Sequence, residues 1–284
     1  MRFVSVKRKN IEGTGIVHGD RAKVLWANTP AYPGSLDDLV KGGMAALQAA
    51  GVKLAAGEDL ALSDVQLLAP LRRAPKLICI GLNYADHSKE SGFDTPTYPA
   101  IFSRYNSSLM GHGAPMVRPK VSEQLDYEGE LAVIIGKGGR HIPVKSALDH
   151  VIGYSVFNDG SVRDYQFKST QWTMGKNFDD TGAFGPTLVT ADELPAGAKG
   201  LKLETRLNGV VVQSSNIDHM IFDVATLVSL LSVAHALEPG DVIVSGTPAG
   251  VGLARKPPLW MKPGDVCEVE IEKVGLLRSP ITAE

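Results

Sequence analysis

The sequence predicts an α+β protein in which β-strands predominate. Many short segments of apolar and β-branched residues are separated by turn signals, and few segments have the apolar spacing of a helix. The clearest turn is Asn208-Gly209, which lies between two strand-like segments and is typical of a β-hairpin. These observations favour a barrel or sandwich-like β core with inserted helices.

The first 70 residues differ from the rest and are predicted to form a small accessory domain. Strands are expected at 3–6 and 23–26, and a helix is expected over 36–50, beginning after the N-cap Ser35. Residues 70–75 are interpreted as a linker to a larger domain, 71–284. Further strands are expected in that domain over 76–82, 131–135, 151–158, 187–189, 201–207, 241–245 and 267–271.

The composition is typical of a globular protein and excludes some classes of partner. The chain has 284 residues, of which 44% are apolar and 21% charged, and its formal net charge is -2. Because no basic block stands out, we expect no binding to nucleic acid. The longest apolar region, 221–237, is too short and too polar to cross a membrane and is predicted to be a core-facing amphipathic helix.

The cysteines and the first residues indicate a cytoplasmic protein. Cys79 and Cys267 lie in strand-like segments and lack the spacing of a metal site, so reduced, buried thiols are expected. The first ten residues include charges but no apolar stretch follows them, and no secretory signal is visible. Both observations are consistent with a reducing compartment.

Two glutamates and one aspartate are candidate metal ligands. Glu128 and Glu130 enter an apolar strand two residues apart, so both side chains lie on one face, where like charges repel. A divalent cation would remove that repulsion, although an exposed strand end with two acids is the alternative. Asp159 follows the buried strand 151–158 and is a third candidate, although it could instead cap a helix.

Four motifs occur in an order that resembles the fumarylacetoacetate hydrolase family over about residues 75–280. They are Asp-Tyr-Glu-Gly-Glu-Leu at 126–131, Asn-Asp-x-Ser-x-Arg-Asp-x-Gln at 158–166, Gly-Lys at 175–176 and Gly-Thr-Pro-x-Gly-Val-Gly at 246–252. The resemblance implies a mixed β-sandwich roll or barrel with a small N-terminal α/β domain, and a homodimer. It also implies that Glu128, Glu130 and Asp159 bind Mg²⁺ or Mn²⁺, with Ca²⁺ as a substitute.

A histidine and a glutamate form a candidate catalytic pair. If the segment after strand 76–82 is helical, His87 and Glu90 lie three residues apart on one face, where the carboxylate can orient the imidazole. Spacing alone also allows a surface pair without a role. The resemblance implies the catalytic role, because hydrolases of the family use a His-Glu pair here. The turn residues of 91–96 make that segment a candidate lid.

Three polar side chains are candidates for holding a 2-oxo acid. Lys176 resembles the family lysine that stabilises the charge of a pyruvate enolate. Gln166 could hydrogen-bond the same oxygens. Arg163 could bind the substrate or could form a structural salt bridge with an acid such as Asp164.

The glycine-rich segment 246–252 follows a strand and is a candidate part of the same site. It lacks the Lys-Ser/Thr ending of a phosphate loop, so we expect its backbone to approach a substrate carboxylate, with Thr247 donating. A tight turn without a ligand is the alternative. Tyr84 is a further candidate substrate contact, Arg104 stands where the family often has Lys, and Trp172 is expected to pack rather than to contact substrate.

The leading hypothesis is a metal-dependent hydrolase acting on carbon–carbon bonds in ketonic substances. Its substrate would be an acylpyruvate-type 2,4-dioxo acid, such as fumarylpyruvate or maleylpyruvate from aromatic catabolism, and its products pyruvate and a carboxylic acid. His87 with Glu90 would activate the water that attacks the distal carbonyl. The alternatives are decarboxylation or isomerisation of oxaloacetate or an oxo-dioate, hydrolysis of a diketo-deoxy-sugar acid, and a non-catalytic module that binds a metal and an oxo acid.

Overall fold

The structure is a computed structural model that describes residues 1–90 and 96–284, except for the side chains of residues 87–89. The strands of the first half are β1 (Arg2–Arg8), β2 (Ile11–His18), β3 (Arg21–Trp26), β4 (Glu58–Ala61), β5 (Gln66–Leu68), β6 (Leu77–Gly81), β7 (Ala100–Ser103), β8 (Leu109–Met110), β9 (Met116–Arg118) and β10 (Leu125–Asp126). Those of the second half are β11 (Gly129–Ile135), β12 (Val151–Asp159), β13 (Ser161–Val162), β14 (Gly182–Thr190), β15 (Lys202–Leu207), β16 (Val210–Asn216), β17 (Val242–Val244), β18 (Val266–Ile271) and β19 (Gly275–Ala283).

The helices are short and few in comparison with the strands. They are α1 (Leu36–Leu39), α2 (Gly43–Leu54), α3 (Ala85–Glu90), α4 (Arg163–Gln166), α5 (Thr173–Lys176) and α6 (Val224–Ala234). Short 3₁₀ turns lie between several elements, the longest of them being Val144–His150. The predicted α+β class with predominant strands is therefore confirmed.

Most strands belong to two sheets. The larger sheet has the order β4-β3-β2-β1-β14-β12-β11-β17-β6-β7, with β5 paired to β1 and β8 paired to β14. The smaller sheet has the order β16-β15-β18-β19-β9, and β10 and β13 form a separate pair. The predicted hairpin at Asn208-Gly209 joins β15 to β16. Because β17 and β6 pair in parallel whereas β11 and β12 pair antiparallel, the larger sheet is mixed.

The central strand β11 is buried on both faces. Leu131, Val133 and Ile135 belong to a core cluster that also contains Leu203 and Leu277 of the smaller sheet. The alternate residues, Ala132 and Ile134, belong to a second cluster that contains Leu47 and Leu54 of α2. A strand covered on both faces is expected to be apolar throughout, which accounts for the unbroken apolar run of 131–135.

The first strands continue the larger sheet. Strand β1 pairs with β14 through Arg2↔Val189 and Phe3↔Leu188, and with β5 through Ser5↔Leu68. Strands from the two sides of residue 70 are thus hydrogen-bonded to each other in one sheet. The division of the chain into domains near that residue stays a prediction.

The predicted helix over 36–50 is broken into two helices, α1 and α2. Ser35 caps α1 as predicted, because its side chain accepts a hydrogen bond from the Asp38 N–H. The break comes at Gly43, whose φ of 69° lies in the left-handed region that glycine tolerates and a continuous helix does not.

The helix predicted within 221–237 is α6, which begins after the N-cap Asp223. Within the described residues, no helix has both the length and the apolar character needed to cross a membrane.

Gly129, between the two candidate glutamates, lies against the smaller sheet. A Cβ at this position would collide with Thr205 Oγ1 and would lie 3.0 Å from Val269 Cγ1. We expect Gly129→Ala to lower the free energy of unfolding by about 1–3 kcal/mol through overpacking, as measured by urea denaturation. Thr205→Ala removes the colliding oxygen, so the double variant should be more stable than the sum of the two single effects. Additive effects would show that this contact is not the cause.

Candidate functional site

Three buried carboxylates meet where β11 begins and β12 ends. Glu128 precedes β11, Glu130 is its second residue, and Asp159 is the last residue of β12. The antiparallel pairing of the two strands sets them together, and the Asp159 N–H donates to the Glu128 carbonyl over 2.9 Å. One oxygen of each carboxylate lies within 4.8 Å of the others. The geometry therefore unites the three residues that the sequence selected as metal ligands.

Lys176 links two of these carboxylates. Its Nζ lies 2.6 Å from Glu128 Oε2 and 2.6 Å from Asp159 Oδ2. Burial opposes the charged form, but the neighbouring charges of Asp159 and Glu128 prevail and raise the pKa of Lys176, so the ammonium persists at neutral pH. The preceding Gly175 allows this placement, because a Cβ there would collide with the backbone of Gln166 in α4.

Arg163 makes the structural salt bridge that was one of its two expected roles, although not with Asp164. Its Nη2 lies 2.7 Å from Glu128 Oε1 and 2.8 Å from Asp126 Oδ2. Asp164 instead accepts a hydrogen bond from Ser122 Oγ over 2.6 Å. The difference arises because β10 brings Asp126 beside the start of α4, a pairing that neighbouring positions in the sequence do not reveal.

Arg104 supports the third carboxylate. It is buried, and its Nη1 lies 2.6 Å from Asp159 Oδ1 and 3.0 Å from the Gly160 carbonyl, while Nη2 donates to Thr181 Oγ1 over 2.8 Å. Gly182 leaves room for it, since a Cβ at that position would lie 2.9 Å from Arg104 Nη2. Arg104 thus holds Asp159 in place.

The donor set suits a divalent cation. Within the described residues, four buried carboxylates face three buried cations, which leaves one negative charge in excess: Asp126, Glu128, Glu130 and Asp159 against Arg104, Arg163 and Lys176. Burial, with the charges of Asp159 and Glu128, raises the pKa of Glu130 well above its usual range. Carboxylate oxygens are the hard ligands that such cations prefer, so this cluster fits a metal ion.

The glycine-rich loop 246–252 binds acidic side chains of the protein itself. Three of its amides donate to carboxylates, over 2.5 Å from Gly246 to Glu130, 2.8 Å from Gly250 to Glu90 and 2.8 Å from Gly252 to Asp126. A Cβ at Gly252 would lie 2.5 Å from Asp126 Oδ1, so only glycine permits this approach. These three amides are therefore engaged within the protein, and the expectation that this backbone approaches a substrate carboxylate stays a prediction.

The Thr247 hydroxyl also forms its hydrogen bonds within the protein. Its hydroxyl donates to the Gly129 carbonyl over 3.0 Å and accepts from Gln213 Nε2 over 2.8 Å. The side chain lines the cleft described next, but its hydroxyl proton is engaged within the protein. The donation from Thr247 to a substrate that the sequence suggested therefore stays a prediction, which would require its hydroxyl to leave the Gly129 carbonyl.

A cleft opens above the carboxylates, with an empty volume of about 550 Å³ that includes space open to solvent. Its polar side is formed by Glu128, Glu130, Arg163, Gln166 and Lys176. The Gln166 side chain accepts a hydrogen bond from Arg163 Nη1 over 2.9 Å. The cleft therefore brings together the predicted lysine, arginine and glutamine with two of the three predicted ligands.

The rest of the cleft lining is mostly apolar and was not found by sequence reasoning. Phe102, Phe167 and Trp172 line it, together with aliphatic side chains. Trp172 does pack, edge-on against Phe102 with ring centroids 5.4 Å apart, but it also faces the cleft, contrary to the expectation of a packing role alone. Phe102 lies in the apolar strand β7, where the sequence pattern does not distinguish a cleft residue from a core residue.

The remaining predicted site residues, Tyr84 and the pair His87 and Glu90, lie in the segment after β6. Tyr84 is buried and borders a separate surface cavity with His219 and Pro248 rather than the cleft, and its contact with substrate stays a prediction. The Glu90 carboxylate accepts from the Gly250 N–H. The His87 side chain and residues 91–95 of the candidate lid at 91–96 lie outside the described residues, so their roles stay predictions.

Known proteins resemble this chain over nearly its whole length. Residues 76–282 match the family model described as fumarylacetoacetate (FAA) hydrolase C-terminal. Oxaloacetate tautomerase FAHD2A, mitochondrial, of Homo sapiens is 40% identical over 98% of this chain and 90% of its own. A solved fumarylacetoacetate hydrolase from Exiguobacterium antarcticum has a TM-score of 0.88 and 37% identity, with 100% of both chains covered.

A second solved structure bears on the metal. Maleylpyruvate hydrolase from Sphingobium sp. SYK-6, in complex with manganese (II) ion and pyruvate, has a TM-score of 0.83 and 26% identity, with 100% of this chain and 99% of that chain covered. The human relative at 40% identity is named a tautomerase, whereas this protein of known structure at 26% identity is named a hydrolase.

Proposed function

The chain belongs to the fumarylacetoacetate hydrolase family, and from that membership we propose that it is a divalent-metal enzyme that interconverts the keto and enol forms of oxaloacetate. The observation that carries this proposal is the cluster of three buried carboxylates with Lys176 on the floor of an open cleft. The reaction is chosen because this chain is 40% identical to human FAHD2A, which is named an oxaloacetate tautomerase.

Glu128, Glu130 and Asp159 would hold the metal, which we infer to be Mg²⁺ or Mn²⁺. The support is the all-carboxylate donor set and the manganese in the similar maleylpyruvate hydrolase. A divalent cation bound there would act as a Lewis acid toward the 2-oxo acid and would increase the acidity of its C3 protons. Arg104 and Arg163 would keep Asp159 and Glu128 in position for it.

Lys176 is the residue best placed to stabilise the reacting oxygen. Its ammonium has three N–H groups, of which two are directed at Glu128 and Asp159, so the third remains for the keto oxygen of a substrate in the cleft. Negative charge develops on that oxygen when a C3 proton leaves, and a fixed ammonium in a buried site lowers the energy of that state. By resemblance, His87 oriented by Glu90 is the group that we propose to move the proton at C3.

Hydrolysis of an acylpyruvate is the second candidate. It is favoured by the structural similarity to maleylpyruvate hydrolase, and it would use the same enolisable 2-oxo acid end followed by attack of water. Tautomerisation is preferred because the relatives so named are 40% identical, against 26% for that hydrolase.

The experiment compares the two reactions in one preparation. Protein stripped with a chelator and reloaded with Mn²⁺ is given oxaloacetate, and loss of the enol is followed by its ultraviolet absorbance. Fumarylpyruvate and maleylpyruvate are assayed in parallel for release of pyruvate. We expect metal-dependent tautomerisation to exceed pyruvate release. Pyruvate release without tautomerisation would replace the proposal by the hydrolase, and neither activity would reject both.

The predicted homodimer and the predicted cytoplasmic location go beyond these findings. The human relative is named as mitochondrial, which is a statement about that protein. We propose a homodimer on the family resemblance alone, and sedimentation velocity of the purified chain would test it.

A further inference from the structure

The apolar side of the cleft indicates a further activity. We infer that the enzyme also tautomerises 2-oxo acids that have an aromatic ring on C3, of which phenylpyruvate is the simplest. This inference rests on the proposed tautomerase function and extends it to a substrate class that the relatives' names do not include.

The aromatic side chains begin directly beside the reacting group. The Phe102 ring centroid lies 5.0 Å from Lys176 Nζ, and Trp172 lies edge-on to Phe102 with an interplanar angle of 66°. A 2-oxo acid whose keto oxygen meets Lys176 can therefore place its C3 substituent beside Phe102 and Trp172. Edge-to-face contacts between aromatic rings contribute favourably beyond the area that they bury.

The position of Trp172 is built into the fold. A Cβ at Gly81 would collide with the Trp172 indole, so the glycine at the end of β6 provides the surface on which the ring lies. Phe102 supports the indole from β7, the strand that pairs with β6. Two strands and one glycine thus orient the indole, which is the arrangement expected of a preformed recognition surface.

The charges of the cleft admit an uncharged substituent. Among the described residues that line it, the cationic side chains are Arg163 and Lys176, and each is paired with carboxylates. Neither cation is therefore left over to require a charged group on C3, so the carboxylate of oxaloacetate and an uncharged ring can both be accepted there. A phenyl ring on C3 would in addition bury apolar surface against the aromatic and aliphatic side chains of the lining.

The reaction needs no additional reactant. In phenylpyruvate, as in oxaloacetate, a CH₂ group lies next to the keto carbon. One C3–H bond breaks, its electron pair forms the C2=C3 double bond, the former C=O bond becomes C–O, and a proton is added to that oxygen. The reverse reaction returns the proton to C3, so atoms and electrons balance without an oxidant.

The test measures kcat/KM for the enol-keto conversion of phenylpyruvate and of oxaloacetate by the Mn²⁺-loaded enzyme, with KM and calorimetric Kd as further readouts. Trp172→Ala should lower kcat/KM for phenylpyruvate by about tenfold, mainly through KM and Kd, and should lower that for oxaloacetate by a smaller factor, because the oxaloacetate substituent has no ring to stack on the indole. Phe167→Ala is the second variant, because its side chain is 52% exposed and its loss endangers folding less. Its expected effect has the same direction.

Met174→Ala is the matched control, since Met174 is 66% exposed and lies outside the cleft lining. It should leave both substrates unaffected. Turnover of oxaloacetate without turnover of phenylpyruvate would overturn this inference and leave the proposed function standing, as would equal losses for both substrates in Trp172→Ala and Phe167→Ala. Absence of turnover with either substrate would reject the proposed function itself.

Discussion

Glu130→Gln is expected to weaken binding of Mn²⁺ by on the order of 100-fold or more and to lower turnover at limiting metal by a similar factor. Changes in groups that only support metal ligands cost about 10–100-fold, so loss of an anionic ligand should cost at least as much. The fold should survive, because the amide oxygen of glutamine can still accept the hydrogen bond from the Gly246 N–H. Calorimetric titration of the chelator-stripped protein with Mn²⁺ measures the affinity, and a thermal melt checks the fold.

Glu123→Gln is the control, because it removes the same charge at an exposed position, three residues before Asp126. It should bind Mn²⁺ like the parent chain, which separates loss of a ligand from loss of net charge. An unchanged affinity in Glu130→Gln would remove Glu130 from the proposed coordination sphere and would leave the two remaining carboxylates as the candidates.

Much of the candidate metal centre was predictable because its chemistry is local. Glu128 and Glu130 show the two-residue period of a strand within three consecutive residues, and Asp159 directly follows the strand-like segment 151–158. A single pairing, β11 with β12, brings the three together. The mainly β fold was predictable for the same reason, since strand and turn signals extend over a few residues each.

The residues that complete the site were not predictable, because their roles depend on packing between distant elements. Arg104 meets Asp159 across 55 residues of sequence, and Asp126 meets the Gly252 amide across 126. Trp172 faces the cleft because Gly81 leaves space for its indole. The residues around Trp172 in the sequence do not indicate this contact with a distant glycine. Likewise, the apolar spacing of 36–50 predicted one helix, whereas a left-handed glycine divides it.

Lys176→Met should have the opposite effect on the metal from Glu130→Gln. Without the ammonium, Glu128 and Asp159 lose a shared cationic partner, so the affinity for Mn²⁺ should be equal or higher. Turnover of oxaloacetate should nevertheless fall by about 100–1,000-fold, the usual effect of removing one donor to a developing oxyanion. Because the carboxylates then repel each other in the stripped protein, added Mn²⁺ should raise the Tm more in this variant than in the parent chain.

Lys168→Met is the control for this change, as it removes an exposed lysine eight residues earlier. It should alter neither the affinity for Mn²⁺ nor turnover. If Lys176→Met loses Mn²⁺ binding, the lysine is needed to assemble the carboxylates rather than to stabilise charge. If it retains turnover, another donor meets the keto oxygen. A variant that keeps its metal but loses its reaction would instead separate the two functions of the cluster, with the carboxylates fixing the cation and the ammonium lowering the barrier.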